Sequence, residues 1–110
     1  MTENERKILN LLGIARRAGV IFIGQDQVLE SCKKFKALLV LTSDDCSENV
    51  LKSLKNAETR TSVERIRLNL DRTQMGQSVG TKSAQIVSID YENGFAGKIL
   101  SLMNRSDADE

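Results

Sequence analysis

The sequence predicts an α/β protein, a three-layer α/β/α sandwich built on a four-stranded mixed sheet. Three observations predict it. The short apolar runs VIFI, ALLVLT and QIVSI lack the polar alternation of a sheet with one wet face. Between them, apolar residues recur at helical spacing. Finally, 110 residues without proline or a glycine-serine linker suffice for one buried core and are too few for two. Residues 1–106 are therefore expected to form a single domain, followed by an acidic tail at 107–110. Strands this covered imply that much of the pairing is parallel, with right-handed crossovers.

Each element follows in order. Ile8, Leu11, Leu12 and Ala15 mark a first helix that ends at RRAG, where Gly19 suits a C-cap. The strand VIFI leads to Gly24 and a helix whose apolar stripe is Val28, Leu29, Cys32 and Phe35. ALLVLT reads as a fully buried strand. Asp45, with Glu48 three residues on, has capping-box spacing for a third helix carrying Val50, Leu51 and Leu54 to about Ala57. VERIRL alternates like a half-exposed strand. Asp71 with Gln74 is a second capping box and opens a short helix that Gly80 closes. QIVSI is the fourth strand, and the last helix turns Phe95, Ile99 and Leu102 inward.

Several chemistries are excluded by composition. The chain has no histidine, so no ordinary Ser-His-Asp or Cys-His arrangement exists. Cys32 and Cys46 lack CxxC spacing, which argues against zinc. Neither GxGxxG after the first strand nor GxxxxGK[ST] is present, so no nucleotide cofactor is expected. Asp44 and Asp45 form a carboxylate pair at a strand end, for which capping is the stronger reading than catalysis or magnesium binding. The expectation is a non-enzyme without metal or cofactor. MTENERK and the absence of a long apolar run predict neither a signal peptide nor a membrane span, hence a cytoplasmic protein.

Charge is more informative by region than in total. The net charge is +1, but residues 1–106 hold sixteen basic against twelve acidic residues, or +4. That mild excess permits an anionic partner. Aromatic residues are too few for a base-stacking platform: Tyr91 stands alone, and Phe22, Phe35 and Phe95 fit core positions.

The stretch IFIGQDQVLES, Ile21 to Ser31, is the candidate site. A strand that stops at a helix start leaves backbone N–H groups pointing outward, with the positive end of the helix dipole behind them. Such a junction attracts phosphate or an acceptor-rich base edge. Gly24 allows close approach, and Gln25, Asp26 and Gln27 offer amide and carboxylate groups suited to base edges, although taken alone the segment reads more simply as a helix start with three solvated side chains.

Five segments, NLLGIARRAG, IGQDQV, ALLVLTSDDCSEN, MGQSVG and GFAGKIL, follow one another in an order and spacing that resembles the L7Ae/L30e-like family of ribosomal proteins and kink-turn RNA binders, and most of all its small bacterial YlxQ branch. The resemblance runs from about Leu9 to Leu102. It implies the α/β/α sandwich and a structured RNA as partner, ribosomal RNA or the ribosome; a monomer is the expectation for the chain itself. It also implies two RNA-binding elements at one end of the sheet: Gly24, Gln25, Asp26 and Gln27, and the loop Thr81, Lys82, Ser83 and Ala84. Arg16 and Arg17, closing the first helix, are candidate backbone clamps. Kink-turn binders of this family carry asparagine then glutamate where this chain has Asp26 and Gln27, lysine where it has Glu30, and often a basic residue at Ile23. Each departure weakens kink-turn docking, so structured-RNA binding is the expectation. The alternative is a protein-interaction module that has lost kink-turn binding.

Overall fold

The computed structural model of the chain describes residues 2–108, with side chains as far as Met103. Nine elements alternate: α1 (Glu3–Arg17), β1 (Ile21–Ile23), α2 (Gln25–Lys34), β2 (Ala37–Thr42), α3 (Glu48–Ala57), β3 (Ser62–Arg67), α4 (Arg72–Ser78), β4 (Ile86–Asp90) and α5 (Gly94–Ala108). Asp109 and Glu110, the end of the expected acidic tail, lie outside the described residues.

Local chemistry sets the helix ends. Thr2 and Glu5 form a reciprocal capping box at the start of α1. At its other end Gly19, at φ 75°, turns the chain so that Val20 N–H reaches the Ala15 carbonyl at 3.0 Å. Asp71 and Gln74 cap α4 in the same reciprocal way, as their spacing predicts. The cap of α3 differs from the sequence expectation. Ser47, not Asp45, is the N-cap, its hydroxyl accepting from Val50 N–H at 3.4 Å. Asp45 is drawn away by Arg72, whose backbone N–H and Nε lie 3.0 and 3.2 Å from its carboxylate.

The sheet runs β1-β4-β2-β3. β2 and β3 are parallel, while β4 lies antiparallel to both β1 and β2. The sheet is mixed, but the expectation that much of the pairing is parallel is corrected: one pairing of three is. Continuous apolar strands report that both faces are covered, and helices can cover an antiparallel strand equally well.

Alternation within the strands feeds two cores. Leu39, Leu41, Val87 and Ile89 face α1, α4 and α5, meeting Leu12, Met75 and Ile99. Leu38, Val40 and Ile86 face α2 and α3, meeting Val28, Cys32 and Leu54. On that second face the buried hydroxyls of Ser31 and Ser88 lie 2.9 Å apart, and Ser31 also donates to the Val28 carbonyl at 2.6 Å. These bonds satisfy two polar groups inside an apolar layer and hold α2 against β4.

Candidate functional site

The ends of β1, β2 and β3 and the start of β4 share one end of the sheet, which places the α2 start and the Thr81–Ala84 loop there together. At the α2 start, Gly24 N–H donates to the Ile86 carbonyl at 2.9 Å, extending the β1–β4 ladder by one bond. The chain then turns at φ 88° and ψ 163°, a region open essentially to glycine. The first helical bond runs from Val28 N–H to the Gly24 carbonyl, so the N–H groups of Gln25, Asp26 and Gln27 precede the hydrogen-bonded turn. A Cβ at Gly24 would meet nothing within 4 Å, which isolates backbone strain as the effect of substitution. Gly24→Ala is expected to cost about 1–3 kcal/mol in a denaturant melt. A cost near zero would mean that the turn relaxes freely.

The three polar side chains are not equally free. Gln27 folds back, its Oε1 accepting from Ile23 N–H at 3.1 Å. Gln25 Nε2 donates to Ser53 Oγ of α3 at 2.9 Å. Asp26 is exposed, with no hydrogen bond or ion pair among the described residues. Gln27 thus keeps its amide donors, Gln25 keeps its carbonyl and one N–H, and Asp26 offers only acceptors.

The second loop is held by α4. Thr81 N–H donates to the Gly76 carbonyl at 2.8 Å, and Ala84 N–H donates to the Arg72 carbonyl at 2.9 Å. Ala84 is a core residue, while Thr81, Lys82 and Ser83 are exposed, the Thr81 hydroxyl donating to the Ser83 carbonyl at 3.1 Å. Lys82 has no ion-pair partner among the described residues. Next in the chain, Gln85 Oε1 accepts from Ser47 N–H at 2.7 Å, tying the loop to the start of α3.

The two arginines of α1 separate. Arg16 lies against Gly80, where an added Cβ would stand 3.0 Å from its Cζ, one residue before the loop. Arg17 lines a groove between α1 and α4 with Gln74 and Gln77. Lys33, Lys34 and Lys36 sit where β2 begins, roughly 20 Å of strand away from the site. The site end also carries Arg72, bound to Asp45, and the acidic residues Asp26, Asp44 and Glu48. The nearby Ser43 hydroxyl and then the backbone and guanidinium of Arg72 hold the Asp45 carboxyl below its usual range, against the effect of desolvation. No cluster of side chains suited to a metal ion occurs among the described residues.

A three-layer sandwich with an open helix start beside a lysine-bearing loop defines a class of small α/β domain. The family model for the ribosomal protein L7Ae/L30e/S12e/Gadd45 family matches residues 6–99, and the chain belongs to that family. It is 33% identical over 94 residues to the RNA-binding protein YlxQ of Bacillus subtilis (strain 168), covering 86% of this chain and 92% of that one. To the protein of the same name from Enterococcus faecium it is 31% identical over 100 residues, covering 91% and 94%. Among solved structures, a Bacillus halodurans C protein of unknown function superposes with TM-score 0.72 at 25% identity, over 89% of this chain and 97% of that one. The Giardia lamblia 15.5kD RNA binding protein shares the fold, with TM-score 0.69 at 16% identity over 98% and 91%. No described helix is long and apolar enough to cross a membrane.

Proposed function

We propose that this protein binds structured RNA without catalysing a reaction, as a cytoplasmic monomer acting on ribosomal RNA or the ribosome. The observation that carries the reading is the open α2 start at Gly24–Gln27 beside the exposed, unpaired Lys82. Backbone N–H groups and the helix dipole suit a phosphate or a base acceptor there. Lys82, Ser83 and Arg16 would position the RNA through its backbone, and Gln25, Asp26 and Gln27 would read base edges. The curated relatives named as RNA-binding proteins support the partner class.

Binding to a kink-turn, a straight duplex and a ribosomal RNA fragment across a salt series tests this. The logarithm of the affinity is expected to fall linearly with the logarithm of the salt concentration, and Lys82→Ala to reduce that slope by about 1. Gln25→Ala with Gln27→Ala should weaken binding while the slope stays the same. Affinity that ignores salt and survives all three substitutions would sink the reading.

A second reading has its own support. Two of the three candidate readers already bond within the protein, and the third is acidic. A protein-interaction module that has lost kink-turn binding fits those engagements, and is favoured if the salt series detects no RNA complex.

A further inference from the structure

A second cleft opens at the same end of the sheet, on the β3 side of α3. It has a volume of about 430 Å3 and lies between Ser43, Asp44 and Cys46 after β2, Leu51 of α3, and Arg65 and Arg67 of β3. Arg65 and Arg67 pair with Val40 and Thr42 in the parallel ladder. Two apart in one strand, they project on one face, that of α2 and α3. Arg67 Nη2 donates to the Asp44 carbonyl at 2.6 Å, which fixes the guanidinium and leaves further donors unspent. Arg65 Nε lies 3.7 Å from the half-buried Glu58 carboxylate, and Asp44 is the one acidic residue lining the cleft.

Two further features make this more than a charged edge. The N–H groups of Glu48 and Asn49 precede the hydrogen-bonded turn of α3, the Ser47 hydroxyl serving only Val50. Ser43 is 1% exposed, yet its hydroxyl is the only buried side-chain polar atom among the described residues that makes no hydrogen bond. Its neighbour inside the protein is the Asp45 carboxylate, whose pKa it lowers without reaching hydrogen-bond geometry and whose two oxygens Arg72 engages. Buried polar groups are almost always bonded, so an orphan hydroxyl lining a cleft with two arginines points to an absent acceptor.

We propose that this cleft holds a backbone phosphate of the bound RNA, gripped by Arg65 and Arg67 and completed by the Ser43 hydroxyl and the start of α3. The inference rests on the RNA-binding reading above. Arginine suits a phosphate because its donors match two oxygens at once. The sheet is four strands wide, so β1 and β3 lie roughly 15 Å apart, and an RNA lying across the strand ends reaches both sites.

The test compares wild type with Arg65→Gln/Arg67→Gln and with Ser43→Ala in the same salt series, alongside amide NMR titrations with inorganic phosphate. The double variant is expected to bind RNA about tenfold or more weakly, with the salt slope reduced by about 1 to 2. Ser43→Ala should weaken RNA binding while the melting temperature falls only slightly, since within the protein the hydroxyl acts only on the exposed Asp45 carboxylate. Phosphate should move the amides of Ser43, Glu48 and Asn49 in wild type and leave them in place in the double variant. Wild-type RNA binding that the double variant retains at full affinity and slope overturns the inference and leaves the RNA reading standing. If wild type binds no RNA, the RNA source fails; amides that still respond to phosphate then support a site for a free phosphorylated compound, and silent amides overturn the site itself.

Discussion

Gly76→Ala is expected to destabilise the protein by about 2 kcal/mol and to weaken RNA binding, although Gly76 is buried and lies in neither proposed contact segment. Helix propensity alone predicts the opposite sign, since alanine gains about 1 kcal/mol over glycine inside a helix. Packing decides against it. A Cβ at Gly76 would stand 2.5 Å from Ser83 Cα, 2.7 Å from Ser83 N and 2.9 Å from the Lys82 carbonyl carbon. All three are backbone atoms and cannot rotate aside, so the loop must lift off α4. Lifting it strains the Thr81–Gly76 and Ala84–Arg72 bonds and pulls Ala84 from the core. Those losses are about 1 kcal/mol for each bond, in addition to the overpacking. Gly97→Ala in α5 is the matched control, because a Cβ there meets nothing within 4 Å and should stabilise by up to about 1 kcal/mol. Thermal melts of the two variants should move in opposite directions. If Gly76→Ala is as stable as wild type and binds RNA equally well, the loop is not held by this close approach.

This helix glycine also shows what local sequence conveys and what it withholds. MGQSVG marks the segment, but its first glycine acquires its meaning from Ser83, seven residues on, through contact rather than pattern. The elements themselves were legible because each is announced by its own residues: unbroken apolar runs for β2 and β4, the Asp71–Gln74 box for α4, and Gly19 at the end of α1. Strand direction in β4 was not, since an apolar run records coverage and not polarity. The α3 cap was misassigned for a similar reason. Asp45 has the right spacing to Glu48, but its partner Arg72 is 27 residues away, and a charged bidentate contact outcompetes a local cap. At the candidate site, the glycine-polar junction could be read from the chain. That Gln25 is tied to Ser53 and Gln27 to Ile23 N–H could not, because both depend on where α3 and β1 come to rest.

Those two engagements shape the most discriminating prediction, a gain of kink-turn affinity in the variant Asp26→Asn/Gln27→Glu/Glu30→Lys. Each change restores a residue that kink-turn binders of the family carry, and each is compatible with the local structure. Asp26 is exposed in the first turn of α2, so asparagine gives up a dipole contribution of about 0.3–1 kcal/mol and gains two amide donors. Glutamate at 27 can accept from Ile23 N–H as Gln27 does and keeps a second oxygen for a guanine edge. Glu30 makes only an exposed pair with Lys33 at 3.7 Å, which is worth little. A restored bidentate base contact is worth about 1–3 kcal/mol, so the variant should bind a kink-turn about 10- to 100-fold more tightly than wild type does. The substitutions also raise the net charge by about +2, which strengthens attraction to any RNA. Glu92→Lys adds the same charge in the turn between β4 and α5, at the other end of the sheet, and controls for it. The triple variant is expected to gain on the kink-turn over a straight duplex, whereas Glu92→Lys should gain equally on both and lose the gain in high salt. If the two variants behave alike, Gly24 to Gln27 attracts RNA by charge alone and does not read it.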